Sequence, residues 1–306
     1  MNAGRTLLAV LPVALLDLGL AGLGAAAPAG EHRDVNASAF GCISAPPVHA
    51  TQLCPPGAPS IVSSAWWGTL FPVGVSSNGV LYQGGPVTNP LSLNAPIVSV
   101  TPDLDAPFSG IAVPSWFVGS DGGVFALNGA PYLGSMGGMA PNAPMVGMVQ
   151  TPSGNGYWLV GADGGVFAFG DAGFFGSMGG HMLNAPIVGI ASTPDGKGYW
   201  LVAKDGGVFS FGDATFRGSL GGVPLNAPMV AMASDGTGLG YLLFGQDGGV
   251  FSFGDAPFVG SFLGAAAPIV SGFFATTIGP NPPGFPHFYC VAASNGQLYC
   301  DQIGFV

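Results

Sequence analysis

The stretch GYWLVGADGGVFAFGDAGFFGSMGG (residues 156–180) carries the unit from which most of this chain is built. Its pentapeptide DGGVF begins at Asp121, Asp163, Asp205 and Asp247, so the copies are evenly spaced. Degenerate copies flank the block, with Ser77-Asn78-Gly79-Val80-Leu81 ahead of it and Ser294-Asn295-Gly296-Gln297-Leu298 behind. A second marker keeps phase with the first: Ala-Pro followed by an apolar pair stands at Ala95, Ala143, Ala185, Ala227 and Ala267, with Asn before it in the first four. Two markers in register make a repeat, and six units result.

Within the unit from Pro186 to Ala227, PIVGIAST reads as a strand, PDGKG as a turn and YWLVA as a second strand. DGG turns the chain into VFSFG, GDA turns it again, and TFRGSL reads as a fourth short strand. Four antiparallel strands in about 42 residues is the size of one β-propeller blade. The first strand carries small residues (Gly189, Ala191, Ser192), as crowding near a central axis requires. The second is apolar without alternation, as a strand covered on both faces should be. Gly or Pro in every window of a dozen residues argues against helix.

The fold predicted is therefore all-β, a propeller of six four-stranded blades. The span from Pro59 to Val306 has room for six such units, with five or seven blades as neighbouring counts. The last unit is short after Cys300, so residues 30–58 are expected to supply its fourth strand and close the ring. An outer-membrane barrel fits less well, because its strands need about 9–11 residues with alternating faces. A stacked β-solenoid would use the same repeat.

At residues 156–180, and in the neighbouring NAPIVGIASTPDGKGYWLV, the sequence resembles a repeat found in exported actinobacterial proteins. The resemblance covers roughly residues 59–300 and is strongest for units three to five. It implies an exported, surface-associated, propeller-like array, and it names no defined activity. Such arrays often accompany wall-directed or peptidase-type domains, and none is expected within this sequence.

Composition narrows the function. The chain has 306 residues, 48% of them apolar, and a net charge of −10 from five Lys and Arg against fifteen acids. The basic residues do not cluster, which argues against nucleic acid or an anionic lipid surface as partner. Residues 1–29 read as a signal peptide, with Arg5 as the charged start, an apolar stretch over 6–24 and Ala27-Pro28-Ala29 as the cleavage site. A retained anchor is the alternative, and Asp17 sits awkwardly in either. No later run is long enough for a helical membrane span. Four cysteines in such a chain, Cys42, Cys54, Cys290 and Cys300, point to disulfides. Three pairings exist. A three-residue hairpin loop at Ser294-Asn295-Gly296, with Gly296 left-handed, would set Cys290 opposite Cys300, which favours Cys290–Cys300 with Cys42–Cys54.

Chemistry is harder to find. The DGG aspartates are expected to bond their own turns. The corner aspartates Asp171, Asp213 and Asp255 are expected to satisfy backbone donors, with Ca²⁺ as the lesser alternative because no DxDxDG spacing supplies converging oxygens. No cofactor is expected. The GSMGG strings lack the glycine two before Ser that a nucleophile elbow needs. The histidines (His32, His49, His181, His287) stand in no motif, and the single glutamate, Glu31, lies beside the cleavage site. Trp158 and Trp200 are expected in the core. Trp66 and Trp67, at a first-strand position where later units are small, are the candidate ligand-binding residues.

The expectation is a non-enzymatic binding or scaffold module at the cell surface, its partner a cell-wall glycan or another exported protein. Two alternatives remain open: a glycan-active hydrolase or lyase using acids near the axis such as Asp103, Asp105 and Asp195, or a structural adhesin.

Overall fold

The structure, a computed structural model, describes residues 51–52, 60–67, 71–82, 92–103, 114–275 and 286–305. Cys42, Cys54, Asp105, His32, His49 and the signal segment lie outside these residues. The described chain is all-β, with nineteen strands in six antiparallel sheets, consistent with a propeller-like fold. Each sheet corresponds to one sequence unit. The fourth is representative: β11 (Ile187–Ser192), β12 (Gly198–Ala203) and β13 (Val208–Gly212) pair in that order.

Among the described residues five sheets show three strands rather than the four expected. TFRGSL and the matching segments 131–136 and 173–178 form no strand. A glycine held at positive φ, Gly134 at 131°, Gly176 at 129° and Gly218 at 127°, breaks each segment. Its Cα lies so close to the Phe169, Phe211 or Phe253 ring of the next sheet that a Cβ would fall within 2.5–2.8 Å of it. The segment thus packs across the gap between sheets instead of extending its own ladder. The last sheet has four strands: β17 (Ile269–Ala275), β18 (Pro286–Ala293), β19 (Gln297–Phe305) and β1 (Thr51–Gln52), which pairs with Leu298 and Gln297.

Second strands are buried on both faces, every residue of GYWLVA being inaccessible. Their alternate side chains serve two different interfaces. Trp200 and Val202 pack with Met229, Tyr241 and Leu243 of the following sheet. Tyr199, Leu201 and Ala203 pack with Trp158 and Val160 of the preceding one. The core is therefore a series of layers between sheets, and no sheet covers its own apolar faces. The series also joins the first and last units: Val270 packs on Ile61, Val80 and Tyr82, and Ser64 Oγ lies 2.5 Å from Ser271 Oγ.

Backbone bonds repeat the same connection. The N–H opening each first strand donates to a carbonyl in the preceding unit's DGG-type turn, as Ile187 does to Ala162 and Met229 to Lys204, both within 3.0 Å. Ile61, which opens the first unit, donates at 2.9 Å to Ser294 of the last.

Candidate functional site

The first strands of all six sheets meet around one cavity of about 400 Å³. Each of these strands carries a bulge against its second strand at the same place, between Ile187 and Gly189 in β11 and between Met145 and Gly147 in β8 (Met145–Gln150). The residue at the bulge is valine in every unit: Val62, Val98, Val146, Val188, Val230 and Val270. A bulge re-aims its side chain, and all six valines line the cavity. The sequence markers contained five of the six, since the second residue of the apolar pair after Ala95, Ala143, Ala185, Ala227 and Ala267 is this valine.

Further along the strands the lining turns polar. Ser63, Ser99 and Ser271 follow the valines, and Gln150, Ser192 and Ser234 stand at the far end. Gln150 is 8% exposed, and its Oε1 has no hydrogen-bond partner among the described residues. A buried amide oxygen without a donor is costly in a native fold. At this point of the cavity a hydroxyl or N–H of a bound molecule would relieve that cost.

Trp66 and Trp67 end β2 (Ile61–Trp67), where their backbones pair with Pro72 and Phe71. Their side chains lie outside what the structure describes. The sheet register gives Trp66 the strand position that Gln150 holds in β8.

Of the acids expected near the axis, the two that are described, Asp103 and Asp195, do not gather there. Asp103 is buried just past the end of β5 (Ile97–Pro102). Asp195 lies in the exposed turn between β11 and β12, 3.0 Å from Lys197 Nζ, and that ammonium holds its carboxyl down at about 2. One carboxylate pair does form elsewhere. Thr237 Oγ1 donates to Asp235 Oδ2 at 2.8 Å and lies 3.3 Å from both oxygens of Asp255. Burial, reinforced by the neighbouring Asp255 carboxyl, pushes the Asp235 carboxyl above its usual range. Asp235 sits in the turn after β14 (Met229–Ser234) and Asp255 just past β16 (Val250–Gly254), both beyond the cavity lining.

The DGG aspartates do what the turn requires: Oδ1 of Asp121, Asp163, Asp205 and Asp247 accepts the N–H two residues on at 3.0 Å in all four units. Two of the corner aspartates, Asp171 and Asp255, meet side-chain hydroxyls. Asp171 accepts from the side-chain hydroxyls of Thr151 and Ser153, at 2.9 and 2.5 Å, rather than from backbone donors. No three of His, Cys, Asp and Glu come together among the described residues. His181 is exposed, and its N–H closes the GSMGG turn on the Met178 carbonyl.

The disulfide reading holds where it is described. Cys290 and Cys300 are bonded and directly opposite across a hairpin whose Gly296 has φ 83°. Trp158 and Trp200 are fully buried. Their indole N–H groups donate to Gly173 and Thr215 carbonyls, fixing the unit's own outer segment. The tyrosine before each does the complementary job, which the sequence did not disclose. Tyr199 Oη accepts from Phe175 N–H and donates to Gly176 carbonyl of the preceding unit, and Tyr157, Tyr241 and Tyr289 repeat the pattern. Burial pushes the Tyr157 phenol up to about 12 and raises those of Tyr199 and Tyr241.

No protein-family model matches the chain, and no curated protein emerges as a relative.

Proposed function

We propose that this chain is an exported, non-enzymatic six-bladed β-propeller, its last blade completed by the N-terminal segment, that serves as a binding and scaffold module at the cell surface or wall. The observation that carries this reading is the cavity. Residues from all six first strands converge on it, its lining is dominated by valine, methionine, small residues and hydroxyls, and the Gln150 amide brings an unpartnered acceptor to it among the described residues. A concave apolar site with a few polar groups is built to hold a neutral group, and sites of about 300–1,000 Å³ take small molecules or the end of a larger one. Export is supported by the apolar leader after Arg5 and by the Cys290–Cys300 bond, which belongs in an oxidising compartment.

The test is retention of residues 30–306 on purified cell-wall fractions, with and without EDTA. The expected result is retention that EDTA does not change. Absence of retention on every fraction would remove the reading, and release by EDTA would replace it with a calcium-dependent one.

A further inference from the structure

Large apolar side chains are mostly buried here, yet Tyr132, Phe174, Phe216 and Phe258 are 61%, 63%, 55% and 56% exposed. They keep the period of the repeat, one in each of the four central units, on the outer segment after the third strand. The neighbours on either side have drifted. The preceding residue is Pro131, Gly173, Thr215 or Pro257, and the following one Leu133, Phe175, Arg217 or Val259. Packing cannot account for this, since the following position has accepted even arginine while the exposed one stays aromatic.

A hollow of about 220 Å³ adjoins one of these rings. Phe174 and Phe167 supply its aromatic faces, and Asn142, Asp163 and Ser177 its polar groups. The same residue types recur one repeat later as Phe216, Phe209, Asn184, Asp205 and Ser219. The four ring-bearing segments, residues 130–139, 172–180, 214–223 and 256–264, contain one charged residue, Arg217. An aromatic face beside an amide, a hydroxyl and a carboxylate matches a sugar ring, which is apolar on its faces and hydroxylated at its edge. The carboxylate and the scarcity of cations select against an anionic polymer. A protein interface concentrates its anchors at one centre, whereas these are spaced evenly along the repeat.

We propose that Tyr132, Phe174, Phe216 and Phe258 form a row of equivalent stacking subsites for an uncharged polysaccharide chain, one subsite per repeat. This names a partner class for the binding module proposed above and rests on that reading for its setting. Each subsite alone is weak, and occupation of several by one polymer supplies the strength through effective concentration.

The experiment is depletion of the full chain from solution by insoluble chitin, cellulose and mannan, with polygalacturonate as the anionic comparison. Binding is expected to at least one neutral polymer, to weaken stepwise as rings are replaced by alanine, and to fall on the order of 10²-fold when all four are gone. Phe→Tyr replacement at 174, 216 and 258 should keep it, which separates loss of the rings from loss of folding. Binding to none of the neutral polymers, equal binding to polygalacturonate, or undiminished binding by the folded four-alanine variant would each overturn the proposal. So would self-association in sedimentation that the same alanines abolish, since the row would then be covered by a second copy. Retention on wall fractions that survives all four alanines sinks this inference alone. Loss of all wall retention by the parent chain sinks the binding role as well.

Discussion

Asp235 stands where the third and fourth units have Thr151 and Thr193, and the substitution changes what the turn does with pH. Thr193 Oγ1 donates to the Gly198 carbonyl, whereas the Asp235 carboxylate faces Asp255 across Thr237. With the carboxyl raised above its usual 3.8, the native state holds its proton more tightly than the unfolded chain. Stability therefore falls as pH rises from 3.8 through the raised value, and the cost is constant above it. Asp235→Thr is expected to raise stability at neutral pH by roughly 0.5–2 kcal/mol, the range of repeat-consensus changes, with the gain shrinking toward about pH 3.5. Thermal midpoints at both pH values check it, and an equal gain at both would refute the titration. The buried tyrosines work in the opposite range. A phenol pushed from 10 up to about 12 destabilises the fold as pH climbs through that window. Tyr199→Phe strands the Phe175 N–H and Gly176 carbonyl, so it should cost about 1–3 kcal/mol at neutral pH, read by denaturant unfolding. The DGG aspartates were legible because an Asx turn is local. The tyrosine clamps were not, because their partners lie 23 to 30 residues away in another unit, and a buried tyrosine reads like any apolar strand residue.

At the scale of the strand and its partners, the second strand carries the logic of the repeat, and its departures are instructive. The position filled by Trp158 and Trp200 holds Leu242 in the fifth unit and Cys290 in the sixth, as the register of each strand against its first strand shows. Where the indole ties its unit's outer segment by a hydrogen bond, Cys290 instead ties β18 to β19 covalently. Closing so short a loop is worth roughly 2–3 kcal/mol in the chain-entropy account. Replacing Cys290 and Cys300 together by alanine should lower stability by about that amount, matching the effect of a reductant on the parent chain. A reductant that leaves the parent's unfolding unchanged would count against it. The first three strands of each unit were readable from turn residues and apolar runs. The fourth was misread because TFRGSL has strand-like composition, while its course is set by a glycine lodged against a ring of the next sheet. The valine ring was present in the letters, but only the shared bulge turns six valines toward one cavity.

For the molecule as a whole, a repeat of fixed period announces mutual covering of neighbours, and the layered cores realise it. Sequence length alone could not settle how the first and last units meet, because that depends on residues far apart in the chain. Ser64 and Ser271, 207 residues apart, provide the measurement. A double-mutant cycle with Ser64→Ala and Ser271→Ala should give a coupling of about 0.5–1.5 kcal/mol, and additivity would mean that the first and last units do not touch. The same junction has a consequence for how the chain matures during synthesis. Ile61, Val80 and Tyr82 are made early, but Val270, which packs on them, is made five repeats later, and Leu298, the partner of Thr51, later still. Until then the nascent protein presents one bare greasy flank, so the first unit reaches its native surroundings only once the last has emerged, and whatever accompanies it meanwhile must shield that flank without filling it.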